Sequence, residues 1–170
     1  MDFLELAAAR YSVRKFDDRP IEQEKLDKIL HAGLIAPTAK NQQPQRVFVL
    51  RSAEAIEKLK TCTQCVYGAG TALLVCYDVG ESWKRPFDCK DSGDVDTSIV
   101  LTHMMLEAWE LGIGSVWVMF FDAAKLREAF SLPENLVPVS LMSIGYPAPD
   151  AAPSRRHTES RPESDLVSYL

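Results

Sequence analysis

"DTSIVLTHMMLEAWELGIGSVWV", residues 96–118, joins a helix to a strand through a glycine, and its reading decides the fold. Asp96 is placed to cap the helix and Gly112 to close it. Between them Ile99, Val100, Leu101, Met104, Met105, Leu106, Trp109 and Leu111 leave almost no polar face. A helix this apolar must be covered on several sides, in a central position or at a subunit interface. The methionines read as adaptable packing and His103 as a packed or interface histidine. "SVWVMFF", residues 115–121, follows as a strand, so the buried helix feeds directly into the sheet.

Outward from that unit, helical and strand-like patterns alternate. Asp2 caps a first helix that runs to Ala9. Pro20 precedes "IEQEKLDKILHAGLIA", where Ile21, Leu26, Ile29, Leu30 and Leu34 approximate one apolar face, and Pro37 ends that helix. "RVFVLR" (46–51) and "TALLVCY" (71–77) are strands, with "SAEAIEKLKTCT" (52–63) a short helix between them. "SWKRPFDCKDSGDVD" (82–96) is a polar surface excursion. "DAAKLREAF" (122–130) is a capped helix and "VSLMSIGY" (139–146) a fourth strand. Residues 147–165 carry Pro147, Pro149, Pro153 and Pro162, so the tail is extended and builds no core of its own. Its apolar end, "LVSYL", is expected to dock, for example on a partner's sheet edge. The architecture implied is α/β or α+β, with a mixed sheet flanked by helices in one domain spanning residues 1–170.

The net charge of −5 argues against a general nucleic-acid binder, which needs a broad basic face. Its distribution says more. Arg10, Arg14 and Lys15 cluster near the start and Arg155, Arg156 and Arg161 near the end. The span between them holds 13 basic and 19 acidic residues. Two small basic clusters on an acidic body suit a compact anion such as one phosphate. No apolar run reaches membrane length, and "MDFLELAAARYS" lacks a signal-peptide pattern, so a cytoplasmic protein with free thiols is expected. Cys62 and Cys65 have C-x-x-C spacing, which leaves a redox dithiol open; no second ligand pair supports a metal site.

Two stretches can carry chemistry. In "RYSVRKF" (10–16), Ser12 and Arg14 face one side of an extended segment together with Arg10, a pattern matched to phosphate and equally to a solvated turn. In "APTAKNQQPQ" (36–45), two prolines hold Thr38, Asn41, Gln42 and Gln43 in a rigid amide-rich loop. Such amides suit a heterocycle with imide and carbonyl edges. "GIGS" runs from helix to strand, the reverse of a dinucleotide fingerprint.

Four segments in order, "ARYSVRKFDDRPI", "IAPTAKNQQPQRVFVL", "DTSIVLTHMMLEAWELGIGSVWV" and "IGYPAP" with its basic tail, resemble the nitroreductase family of FMN-dependent flavoproteins. The resemblance implies a mainly antiparallel sheet and an intertwined homodimer with FMN at the subunit interface. It implies that Arg10, Tyr11, Ser12 and Arg14 hold the ribityl phosphate. Pro37, Thr38, Ala39, Asn41 and Gln43 of the other subunit would line the flavin. The backbone of Met119 and Phe120 would approach the ring, and Arg161 would complete the phosphate clasp, with Arg155 and Arg156 as alternatives. The tail, 147–170, would wrap the partner. The implied activity is ping-pong hydride transfer from NADH or NADPH through flavin N5 to a nitroaromatic, quinone or similar acceptor, with no obligate catalytic side chain and no metal. Two features depart from the family pattern. Gln45 stands where the family has Trp, and Met119–Phe120 where many members have a glycine, which would narrow the pocket. A non-catalytic FMN carrier or sensor, or a thiol redox protein using Cys62 and Cys65, are the alternatives.

Overall fold

The computed structural model describes residues 2–170. Helix α1 (Phe3–Ala9) starts at a reciprocal cap in which the Glu5 amide donates to Asp2 Oδ1 and the Asp2 amide to Glu5 Oε2. Helix α2 (Gln23–Leu34) buries Leu26, Ile29 and Gly33. Ile21 is buried just ahead of it, but Leu34, expected on the inner face, is 66% exposed. Gly33 takes the inward position instead, where a β-carbon would meet the Met104 side chain at 2.9 Å.

Strands β1 (Gln45–Leu50), β2 (Thr71–Asp78), β3 (Gly114–Val118) and β4 (Leu136–Gly145) form one sheet in the order β1-β2-β4-β3. All their pairings are antiparallel. The expected parallel component is a single bridge, Ser12 to Ser115. Two boundaries differ from expectation. β3 stops at Val118, opposite Leu141, so Met119 and Phe120 lie outside the sheet. β4 begins at Leu136 and includes Pro138, which pairs with Cys76 where the register shifts between Val75 and Cys76. That irregularity, beyond the end of β3, is where a strand tolerates a residue without an amide hydrogen.

Helix α3 (Ala53–Cys62) is capped by Ser52 Oγ and α5 (Ala123–Ala129) by Asp122 Oδ1. Helix α4 (Gly93–Glu110) corrects one expectation: Ser92 is its N-cap residue, and Asp96 lies inside the helix, 2% exposed. Its C-terminus behaves as read. Gly112, at φ +75°, donates to Trp109 O, and Ile113 donates to Ala108 O. Both bonds of the left-handed glycine ending are therefore made.

β2 is buried along seven of its eight residues because helices cover both faces of the sheet. Leu73, Val75, Met142 and Ile144 pack with Val100, Leu101 and Met104 of α4 and with Leu26 and Ile29 of α2. Leu74, Cys76 and Leu141 pack with Ile56 and Leu59 of α3, Leu126 of α5, and Val13. Each such side chain contributes roughly 1.5–3 kcal/mol by leaving water. The start of the tail is half-buried and pinned to residues 15 and 16 through Ala148 and Pro147, while the residues after Ala151 are exposed and form two short 3₁₀ turns, Arg155–Thr158 and Glu163–Asp165. No helix among the described residues is long and apolar enough to cross a membrane.

A polar clip ties the entry of α2 to the ends of α4 and β4. The Tyr146 hydroxyl donates to Glu22 Oε2 (2.6 Å), and Lys25 Nζ donates to Tyr146 Oη and to Leu111 O. The Tyr146 hydrogen bond, helped by Arg19, lowers the Glu22 carboxyl from 4.5 to about 2. A lowered folded-state value gives a contribution present above the unfolded value and lost as pH falls through the folded one. The melting temperature of the native protein should therefore exceed that of Glu22→Gln at pH 6, and thermal scans should show the gap closing between pH 4.5 and 2. A gap independent of pH in that window would contradict the clip.

Candidate functional site

Residues 10–16 leave α1 and run beside β3. Ser12 bridges Ser115, the Val13 amide donates to Ser115 O (2.9 Å), and Phe16 bridges Pro147. Val13 is fully buried and rests on Gly114, where a β-carbon would lie 2.6 Å from Val13 Cγ2. Only glycine permits that approach. Alternation then turns Ser12 and Arg14 outward. The Tyr11 ring goes inward instead. It stands edge-on to Trp109 at 5.2 Å, and its hydroxyl donates to Ala151 O.

Arg14 Nη1 donates to Ser12 O at 3.3 Å. Among the described residues neither Arg10 nor Arg14 joins an ion pair, whereas neighbouring Lys15 is held by Asp150. Tyr67, a residue the sequence did not single out, stands beside Arg14. Its hydrogen bond with Cys65 and its burial raise its hydroxyl above the ordinary value, and Arg14 pulls the other way.

The loop between α2 and β1 is the second feature. After Pro37 it makes one 3₁₀ turn, Ala39–Asn41, and Lys40 (φ 51°) and Asn41 (φ 55°) within it and Gln43 (φ 51°) beyond it are all left-handed. Three non-glycine residues in that region within four positions is a concentration of backbone strain of the kind found at binding sites. The Gln43 amide donates to Thr38 Oγ1 (3.0 Å), and Gln43 Nε2 donates to Asn41 Oδ1 (2.8 Å). The Ala39 amide donates to Asp96 Oδ1 (2.8 Å). A cavity of about 350 Å³ adjoins the loop, with Ala39, Trp83, Arg85, Lys90, Val95 and Ile99 among its walls and none of residues 10–14.

Met119 and Phe120 follow β3 on an exposed turn, at 72% and 68% exposure. The buried Thr63 hydroxyl donates to Phe120 O (2.5 Å), and the Asp122 amide donates to Cys62 O (2.9 Å), so the turn is tied to the end of α3. No sequence signal pointed to Thr63. Gln45, at the position of the family's Trp, keeps a buried Oε1 without a partner. In the tail, Arg155 pairs with Glu159, while Arg156 and Arg161 form no ion pair among the described residues.

The family model described as "Nitroreductase family" matches residues 7–66 and 66–146. The chain belongs to the nitroreductase family. A crystal structure of a nitroreductase family protein from Clostridium difficile superposes with a TM-score of 0.93 at 48% identity, covering 99% of this chain and 98% of that one. A protein of Archaeoglobus fulgidus, named as an NADH dehydrogenase/NAD(P)H nitroreductase, is 37% identical over 85% of this chain and 84% of its own length. A nitroreductase from Desulfovibrio desulfuricans, solved in complex with FMN, superposes at a TM-score of 0.82 and 28% identity over 98% of this chain and 95% of that one.

All four cysteines are free. Cys62 is buried and its thiol points back to Lys58 O, Cys65 is half-buried, and Cys89 is exposed. Burial pushes the Cys76 thiol up to about 12. Since the thiolate is the reactive form, Cys76 is inert in the folded protein. Titration with a thiol reagent at pH 8 should modify Cys89 first, with Cys62 and Cys76 reacting only after denaturation. Fast native labelling of both Cys62 and Cys65 would instead support the dithiol alternative.

Proposed function

We propose that the chain acts as a homodimeric FMN oxidoreductase that takes reducing equivalents from NADH or NADPH and delivers them to a nitroaromatic, a quinone or a similar conjugated acceptor. The observation that carries this reading is the pair of guanidinium groups of Arg10 and Arg14, free of ion pairs among the described residues, on a strip anchored through the buried Val13 and Phe16. Two cations flanking the Ser12 hydroxyl fit a phosphate group, which accepts charge-assisted hydrogen bonds from both sides. The strained loop fits the other end of the same ligand. Its Asn41 and Gln43 amides and its exposed backbone offer donors and acceptors to a heterocycle.

Each group has a task in this reading. Arg10, Ser12 and Arg14 hold the phosphate, Tyr11 contributes through its backbone because its ring is turned to the core, and Arg161 or Arg156 closes the clasp from the tail. Thr38, Ala39, Asn41 and Gln43 of the second subunit, braced by Pro37, line the ring. The carbonyls of Met119 and Phe120 are engaged by the Phe121 amide and by Thr63, so the contact they offer a ring edge comes from their amide hydrogens. When bound, FMN supplies the two-electron chemistry that no side chain here provides. The residues bind, orient and exclude water, and the bulky Met119 and Phe120 side chains limit the acceptor to flat molecules.

A second copy fits this reading, because the cavity beside the amide loop has no wall from the phosphate strip. The apolar exposure fits such an arrangement. Val95 is 52% exposed on α4, and Leu34 and Ile35 are open at the end of α2. A second chain covering these faces also gives the tail, with Leu166, Val167 and Tyr169 exposed, a surface to wrap.

The test is the visible spectrum of the purified protein under anaerobic conditions. A flavin spectrum that NADH or NADPH bleaches and a quinone restores is the expected result. Bound flavin that neither donor bleaches would mark a carrier, and protein that stays colourless with added FMN would end this reading. Arg14→Glu sets a like charge against the phosphate and should be isolated without flavin. Stoichiometric FMN in that variant would refute the clasp.

A further inference from the structure

Asp96 is the one carboxylate in the buried set of the described residues, 2% exposed within the first turns of α4. A buried carboxylate persists only where donors replace the water it has lost. Two do so here. Ser92 Oγ donates to Oδ2 at 2.7 Å, and the Ala39 amide donates to Oδ1 at 2.8 Å. The first partner is local and lies at the helix start. The second is 57 residues away in sequence, in the middle of the strained loop.

That loop needs an anchor. Lys40, Asn41 and Gln43 all hold left-handed backbone that L-residues avoid, and such conformations persist only where the surroundings over-determine them. A connection whose sole task is to join α2 to β1 has no use for three of them. The Thr38–Gln43 bond braces the loop from within, and Pro44 O, which accepts from the Asp78 amide, fixes its exit. The Asp96–Ala39 bond ties its middle to the central helix. It is the one of the three whose acceptor is a buried carboxyl group.

We propose that Asp96 is a positioning residue: through Ala39 it holds the loop of residues 38–43 in the geometry that receives the flavin ring, so that ring placement depends on a carboxylate acting through the loop backbone. This rests on the reading that the loop lines the flavin. The cavity beside the loop has both Ala39 and Asp96 among its walls, so release of this bond changes the surface that a planar ligand meets. Phosphate capture, which belongs to residues 10–14, does not pass through Asp96.

The experiment compares wild type, Asp96→Ala and Asp96→Asn by FMN titration of the apoprotein, with the visible circular dichroism of the bound flavin and thermal melting of the apoprotein recorded alongside. Asp96→Asn keeps an oxygen for the Ala39 amide and should bind FMN within about three-fold of wild type. Asp96→Ala removes the acceptor and should bind roughly ten-fold more weakly, with an altered flavin dichroism band, beyond any change in melting temperature. The rescue by Asn and the changed band separate positioning from general loss of stability. If wild type binds FMN and Asp96→Ala binds it equally well with the same band, this inference fails while the proposed function stands. If wild type takes up no FMN, the proposed function fails first. Should Asp96→Ala not fold, Ser92→Ala carries the test, because it removes the other donor holding the carboxylate in place. A loss of about three-fold or more in FMN affinity with a changed band then supports the inference, and wild-type affinity overturns it.

Discussion

Helix α4 carries more apolar surface than one chain can cover, and the rest of the structure is arranged around that constraint. The sheet takes Val100, Leu101 and Met104, and α2 presses on the same helix so closely that Gly33 has no room for a side chain. What remains is the side of α4 that bears Val95, Ile99 and His103. It stays partly open, with His103 Nδ1 donating to Ile99 O within the helix. A helix exposed in this way is stable in water only at a cost, which cover by a second chain would remove. The same helix holds Asp96 at one end and delivers β3, with the strip of residues 10–16, at the other. Packing and ligand geometry are thus set by one element.

The candidate site makes use of that rigidity from two directions. Along β3, alternation buries Val13 and so fixes Ser12 and Arg14 outward without any hydrogen bond from their own side chains to the core. At the α2–β1 loop the backbone is strained, and the strain is maintained by a buried carboxylate and by bonds within the loop. Both arrangements are held by bonds within the chain, and a site held in that way lowers the ordering cost of binding. The turn at Met119 and Phe120 follows the same rule, since Thr63 and Cys62 fix its backbone while its side chains remain exposed.

Much of this was legible in the residues, for local physical reasons. Asp2, Ser52 and Asp122 cap helices as their types suggest, and Gly112 ends α4 in the left-handed conformation that glycine favours. The misreadings came where local preference met tertiary demand. Asp96 has the chemistry of an N-cap, but the helix starts three residues earlier and its carboxylate is taken by Ala39. Met119 and Phe120 are β-formers that lie past the end of the pairing at Leu141. β4 starts three residues before the expected strand of residues 139–146 and takes in Pro138 where the β2 register shifts. Leu34 fits the helical stripe but lies at the end of α2, away from the sheet. The left-handed loop could not be read, because Lys, Asn and Gln at 40, 41 and 43 give no glycine signal. The roles of Thr63 and Tyr67 depend on contacts across the fold that no spacing reveals.

Under the proposed function, each ligand site takes its phosphate strip from one chain and its amide loop from another. Two defective variants test this most directly: Arg14→Glu, which spoils the strip, and Ala39→Trp, which blocks the loop. Each expressed alone should carry no FMN. Co-expressed, they form mixed dimers in which one site combines two intact halves, so flavin should return in about a quarter of the sites if the subunits assort at random. If the mixture stays as empty as its parents, although mixed dimers are shown to form, the site belongs to a single chain and the account is wrong.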